Sequence, residues 1–233
     1  MLKNTLLSCM LALLVVNGCS CSTMPVEDLA ELSLNAPILV SEQLKNNGAV
    51  VRVEFALSLE DKNDYPEAFE AFIEAAKEWV LVAPVEIAII IPTEGQETVW
   101  SIIGKRPGVL LLDFAPTIKN TDNDDDLLGT FSWNANTLRL DMGDFYQDGV
   151  FNADLAKAVA MHELGHMFGL THISNSGDGR VEPGGLIVDH GAEKLMMHWS
   201  IPTNYVGLKI SAVELEYALA YIKSVLPTKL NRF

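Results

Sequence analysis

The spacing of three histidines, His162, His166 and His172, limits the folds open to this chain more than any other feature. Residues four apart lie one turn apart on the same face of a helix, so His162 and His166 can present imidazole nitrogens to one ion. Gly169 follows the second histidine by three residues, and glycine tolerates the positive φ with which a chain leaves a helix sharply. We therefore expect the chain to turn at Gly169 and bring His172 back to the same ion.

Glu163 completes the predicted site. Three neutral imidazoles leave the fourth position of a zinc ion open for water, which is the arrangement of a catalytic zinc site. Glu163 lies next to the first histidine in the sequence, where its carboxylate can reach that water without binding the metal. The pattern predicts a catalytic Zn²⁺ site with His162, His166 and His172 as ligands and Glu163 as the general base.

The segment HELGHMFGLTH, residues 162–172, resembles the extended zinc signature of the metzincin peptidases. The likeness covers residues 50–226 and is closest to the matrixin-like branch. The resemblance implies a zinc metalloendopeptidase that hydrolyses peptide bonds through a zinc-bound water activated by Glu163. It also implies that residues 129–133 form an edge strand that pairs with the backbone of a protein or peptide substrate. The alternative is a catalytically inactive zinc-binding surface lipoprotein.

Metzincins place a methionine turn beneath the metal, after the third histidine. Met196 fits the Leu-Met form of that turn and is favoured. Met197 fits a second alignment, which puts Trp199 where some families have a tyrosine. Gly169 and Met196 are thus the expected structural residues near the site. The resemblance also puts residues 202–205 at the wall of the specificity pocket.

Hydrophobic periodicity predicts an α+β fold. Alternation places Val51, Val53, Phe55 and Leu57 on one strand face, and a turn is expected at residues 134–136. The predicted strands span residues 50–59, 85–91, 99–103, 109–114, 129–133 and 137–142, of which 99–103 is the weakest. With the resemblance, they predict a metzincin-like zincin domain with a twisted mixed sheet of about five strands, an active-site helix and a C-terminal helix.

Three helices are predicted. In the first, Asp64 and Glu67 form a capping box, and Pro84 ends the helix. Its buried stripe consists of Phe69, Phe72, Ile73, Ala76 and Val80. Asn152 caps the second helix, residues 153–168, which carries the first two histidines. Ser211 and Glu214 form a capping box that opens the third, and Pro227 ends it.

The N-terminus predicts export. Lys3 precedes an apolar run, residues 6–16, that is too short to span a bilayer and is typical of a signal peptide, residues 1–18. Residues 15–19 resemble a bacterial lipobox, so we expect lipidation at Cys19 and anchoring to a membrane of the bacterial cell envelope. Plain secretion and an uncleaved membrane anchor are the alternatives. Residues 19–49 are then the lipidated N-terminus and tether, and residues 50–233 the catalytic domain.

Charge limits the partners. The formal net charge of −15 repels phosphate backbones and argues against nucleic acid. A monomer that acts on protein or peptide substrates is expected. An acidic loop is either solvated or holds a structural Ca²⁺ ion. Its carboxylates are Asp122, Asp124, Asp125 and Asp126, and a weaker candidate set is Asp178, Glu182 and Asp189.

Overall fold

A mixed sheet of six strands organises the fold. The computed structural model describes residues 38–40, 50–92, 98–119, 126–176, 186–188, 195–198 and 205–231. The strands are β1 (Ile38–Val40), β2 (Val51–Ala56), β3 (Val85–Ile90), β4 (Val109–Ala115), β5 (Gly129–Ser132) and β6 (Thr137–Asp141). Their order is β1-β3-β2-β4-β6-β5; the inner pairs are parallel and both outer pairs antiparallel. The predicted α+β class and mixed sheet are confirmed.

Helices cover both faces of this sheet. They are α1 (Leu59–Asp64), α2 (Pro66–Val82), α3 (Val99–Lys105), α4 (Met142–Phe145), α5 (Ala153–Met167), α6 (Ala212–Ser224) and α7 (Leu226–Leu230). Four short strands form two separate pairs: β7 (Tyr146–Gln147) with β8 (Val150–Phe151), and β9 (Ile173–Asn175) with β10 (Leu186–Val188). Among the described segments, no helix combines the length and apolar character that a bilayer crossing requires.

Helix α2 packs against α5 on one face of the sheet and closes the main core. The predicted stripe, whose members recur every three or four residues, is confirmed because all five side chains are buried. Trp79 of α2 is fully buried, and its ring centroid lies 4.8 Å from that of Phe168, just after α5. The core thus holds α5 firmly against α2.

The start of α2 differs from the prediction. Asp64 and Glu67 form no capping box, because α2 begins at Pro66 and its N-cap, Tyr65, makes no side-chain capping bond. Proline disfavours the helical conformation in the residue before it, and Tyr65 accordingly adopts φ −129° and ψ 57°, outside the helical region. The chain instead forms α1 and then α2, and the predicted strand 50–59 ends at Ala56, before α1.

Residues 99–103 are helical, so the predicted weak strand is wrong. Thr98 caps α3, because its Oγ1 accepts a hydrogen bond from the Ser101 amide at 3.1 Å. Val99 and Ile102 are buried in a small second core on the other sheet face, whereas Trp100 is exposed. A short run of β-branched residues fits either structure, and the threonine cap favours the helix.

The hairpin β5–β6 and the C-terminal helix follow the prediction more closely. Asn136 adopts a φ of 52° in the predicted turn, and β5 lies at the edge of the sheet. The capping box of Ser211 and Glu214 opens α6 as predicted. Pro227 does not end that helix, however: α6 stops at Ser224, and Pro227 lies in the first turn of α7, where its missing N–H has no helical partner to lose.

Several predictions concern residues outside the described ranges. The signal peptide, Cys19, most of the acidic loop, the weaker acidic set and Trp199 all lie there, so lipidation, export and calcium binding stay predictions. Asp126 is described and pairs with Lys119 at 2.7 Å. Strand β1 falls within residues 19–49, so the sheet extends into the segment predicted as a tether.

Candidate metal centre

Helix α5 carries the first two histidines. Asn152 caps it by accepting a hydrogen bond from the Leu155 amide at 3.1 Å. The buried Trp79 indole donates a hydrogen bond of 3.1 Å to the Met161 carbonyl, one residue before His162. Because this bond joins α2 to the middle of α5, the part of the helix that presents His162 is held by the core on its far side.

The end of α5 turns the chain at Gly169, which has a φ of +86°. The Gly169 amide donates to the His166 carbonyl at 3.0 Å, and the Leu170 amide donates to the Gly165 carbonyl at 2.9 Å. This pair of bonds is the Schellman motif, which closes a helix with a left-handed residue. Leu170 is buried after the turn, and the chain then runs back towards the helix face that carries His162.

The turn brings the three imidazoles together. One ring nitrogen from each of His162, His166 and His172 lies within 4.8 Å of the others, and within the described ranges these residues form the one such cluster of three. The Nε2 atoms of His162 and His172 are 3.1 Å apart. Two nitrogens bound tetrahedrally to zinc at 2.0–2.1 Å lie about 3.4 Å apart, so the cluster has the dimensions of a zinc site.

Backbone carbonyls orient two of these rings. His162 Nδ1 lies 2.7 Å from the Met196 carbonyl oxygen, and His166 Nδ1 lies 2.8 Å from the Leu170 carbonyl oxygen. A carbonyl only accepts, so each Nδ1 carries the proton and each Nε2 offers its lone pair. The donor set therefore fits zinc, which binds neutral imidazole nitrogens.

Burial keeps His162 neutral. Burial, followed by the neighbouring His166 ring, holds the pKa of His162 well below its usual range. A protonated imidazole offers no lone pair to a metal at its second nitrogen. The first ligand of the cluster is consequently ready for a metal at neutral pH.

Glu163 is buried beside the cluster and is 5% exposed. Its carboxyl group accepts a hydrogen bond from the Phe131 amide of β5, and burial raises its pKa to about 8. Among the described residues, Oε2 of Glu163 has no hydrogen-bond partner. A buried carboxyl oxygen without a partner is unusual in a stable core and typical of a group that acts on a ligand.

Gly129 lets strand β5 approach this carboxyl group. A Cβ atom at position 129 would lie 2.7 Å from Val159 Cγ1 and 3.0 Å from Glu163 Cγ. Real side chains do not come so close, so any residue other than glycine would force the side chains of Val159 and Glu163, or strand β5 itself, to shift. The absence of a side chain at Gly129 thus places the edge strand directly against Glu163.

The methionine pair lies on the buried side of α5. Met196 and Met197 are both fully buried, and both side chains pack at Gly165, where an added Cβ would overlap Met197 Sδ. The Met196 carbonyl is the group that orients His162. The choice of Met196 as the turn methionine stays a prediction, since both side chains contact the helix.

No protein-family model matches this chain, and no curated protein matches it by sequence. Among 22 matching chains of solved structures is a zinc-dependent peptidase from Methanocorpusculum labreanum. This chain is 12% identical to it, with a TM-score of 0.42, and the match covers 71% of this chain and 99% of the peptidase chain. A likeness this weak carries no conclusion about function, which has to come from the site itself.

Sequence reasoning missed three residues of the site. Gly129 and Gly165 carry no pattern that distinguishes them from other glycines, and each matters only because a distant element packs against it. Glu214 was predicted as half of a capping box, but its contact with Met197 was not predicted.

Of the predicted wall of the specificity pocket, residues 202–205, the structure describes Tyr205. Its hydroxyl oxygen accepts a hydrogen bond from Asn152 Nδ2 at 2.9 Å.

The raised pKa of Glu163 predicts a pH-dependent stability of the metal-free protein. A carboxyl whose pKa rises from 4.5 to about 8 on folding stabilises the protein fully below pH 4.5, and this contribution declines as pH rises from 4.5 and is lost once the pH passes about 8. Glu163→Gln removes the effect, so at pH 7 the metal-free variant should be more stable than the wild type by about 3 kcal/mol. Urea unfolding of both metal-free proteins at pH 5 and pH 8 measures this difference in the free energy of unfolding. Equal stability differences at the two pH values would contradict it.

Proposed function

We propose that this chain is a zinc metalloendopeptidase of the metzincin type, which cleaves peptide bonds in protein or peptide substrates. One observation carries the proposal: three imidazole nitrogens converge beside a buried carboxyl group, one of whose oxygens has no hydrogen-bond partner within the described part of the chain. A structural zinc site usually has four protein ligands and has no use for such a carboxyl group. The pairing of an incomplete ligand set with an acid–base group supports hydrolysis over mere metal storage.

His162, His166 and His172 would hold the zinc ion. When bound, zinc would supply Lewis acidity that lowers the pKa of water to about 7 and polarises the scissile carbonyl. Glu163 accepts the proton of the attacking water at Oε2 and then donates it to the leaving amine. In the metal-free chain burial raises the pKa of Glu163 to about 8, and a bound cation beside it would favour the carboxylate, the form that accepts a proton.

Strand β5 supports the binding of an extended peptide. Among the described strands it lies at the end of the sheet and pairs only with β6, and the Phe131 amide of β5 donates to Glu163. An unpaired edge can add the backbone of a substrate as a further strand. Gly129 and Phe131 place that edge against Glu163, so a peptide bound there would pass close to the proton-accepting oxygen.

Removal of the metal tests the proposal. The purified protein should contain about one zinc per chain, and 1,10-phenanthroline should abolish cleavage of a fluorogenic peptide library, with recovery when zinc is added back. Activity that survives full removal of the metal would overturn the proposal. A protein that binds zinc at all three histidines yet cleaves no peptide or protein would favour the catalytically inactive alternative.

A further inference from the structure

Glu214 is a buried carboxylate outside the metal cluster. It lies in the first turn of α6 and is 1% exposed. Its Oε2 accepts a hydrogen bond from the Ser211 amide at 2.8 Å, which is the ordinary half of a capping box. Its Oε1 accepts a second hydrogen bond of 2.8 Å from the Met197 amide, 17 residues earlier in the chain. The second bond is not needed for capping and requires another explanation.

The Met197 amide belongs to the same peptide group as the Met196 carbonyl. That carbonyl oxygen lies 2.7 Å from His162 Nδ1, which donates to it. One planar, conjugated peptide unit therefore donates to Glu214 at its nitrogen and accepts from His162 at its oxygen. Hydrogen bonds in such a chain polarise one another, so negative charge on Glu214 increases the electron density on the Met196 oxygen.

We propose that Glu214 is a positioning residue for the metal centre and that it acts on His162 through the Met196–Met197 peptide group. A more strongly polarised carbonyl holds the His162 Nδ1 proton more tightly, which fixes the ring and makes Nε2 a stronger ligand. A carboxylate that contacts a metal-binding histidine directly has this effect in many zinc sites. Here the peptide group transmits it. The inference rests on the proposed function, because it requires that His162 bind the metal.

If Glu214 only capped α6, its loss would affect the helix but not zinc binding by His162. Ser211 supplies the other half of the box, because its Oγ accepts a hydrogen bond from the Glu214 amide at 3.2 Å. Ser211→Ala removes that bond, and it leaves the carboxylate of Glu214 and the Met197 amide in place. Glu214→Gln keeps the shape of the side chain but removes the charge and one of the two acceptors. The two variants thus separate loss of the cap from loss of the link to His162.

The test measures zinc affinity in the full-length protein by competition with a chromogenic chelator of known affinity. Glu214→Gln should weaken zinc binding by about 10- to 100-fold, while Ser211→Ala stays within about twofold of the wild type. Both variants should lower the melting temperature by a few degrees, about 2–6 °C. In the zinc-loaded proteins, the NMR resonance of the His162 Nδ1 proton should move upfield in Glu214→Gln and not in Ser211→Ala.

Equal effects of the two variants on zinc affinity, or an unchanged affinity in Glu214→Gln, would overturn the inference. Should Glu214→Gln fail to fold, hydrogen exchange of the wild-type Met197 amide decides. Exchange as slow as that of the α5 amides supports the hydrogen bond from Met197 to Glu214. Exchange as fast as that of the exposed turn at Gly207 overturns the inference. A wild-type protein that binds no zinc overturns the proposed function instead, and the Met197 amide then tests the link in the metal-free chain.

Discussion

Glu163→Gln should lower kcat/KM for peptide hydrolysis by about 10²- to 10⁴-fold while the zinc content stays at that of the wild type. Glutamine keeps the size of the side chain but cannot accept a proton from water at neutral pH, so general-base catalysis is lost. The three imidazoles are unchanged, because Glu163 contributes no ligand to the histidine cluster. Steady-state cleavage of a fluorogenic peptide, with metal analysis of the same samples, measures both quantities.

Glu216→Gln is the matched control. Glu216 is exposed on α6, so the same chemical change there should leave kcat/KM and zinc content unaltered. Retention of full activity by Glu163→Gln would remove Glu163 from the proposed mechanism. Loss of zinc from that variant would show that the carboxyl group supports the metal rather than the reaction.

Gly169→Ala should reduce zinc affinity by more than tenfold and lower the melting temperature by about 5–12 °C. Two effects combine at this position. Alanine disfavours the φ of +86°, which costs about 1 kcal/mol, and its Cβ would overlap the ring of Tyr221 on α6. Relief of the overlap has to move either α6 or the turn, and His172 follows the turn directly. Overpacking of this kind costs about 1–3 kcal/mol more.

Gly149→Ala separates the two effects. Gly149 has a φ of +79°, and nothing lies within 4 Å of an added Cβ, so this variant carries the backbone strain without the overlap. It should lower the melting temperature by a few degrees, about 2–4 °C, and leave zinc affinity unchanged. Thermal unfolding and chelator competition on the two variants make the comparison. Equal zinc affinity in both would contradict the role assigned to Gly169.

Local sequence patterns predicted the parts of the fold whose determining residues lie a few positions apart. The apolar stripe of α2, the turn that contains Asn136 and the capping box at Ser211 are all examples. The same reasoning failed where two local preferences competed. Pro66 moved the start of α2 past the predicted cap at Asp64, and the cap at Thr98 made a helix from a run of β-branched residues.

The candidate site divides in the same way. The spacing of His162 and His166, and the glycine that releases the chain towards His172, determined the metal cluster, because helix geometry and the Schellman turn act over a single segment. Tertiary structure alone decided what surrounds that cluster.

The burial of Glu163 against Gly129, the contact of Gly169 with Tyr221 and the bond from Met197 to Glu214 each join elements distant in the chain. No local pattern encodes such contacts, because they arise only when the helices pack on the sheet and on one another. One short segment of the sequence therefore determines the candidate metal ligands. The burial of Glu163 and the contacts that position the ligands, on which catalysis would depend, require the whole fold.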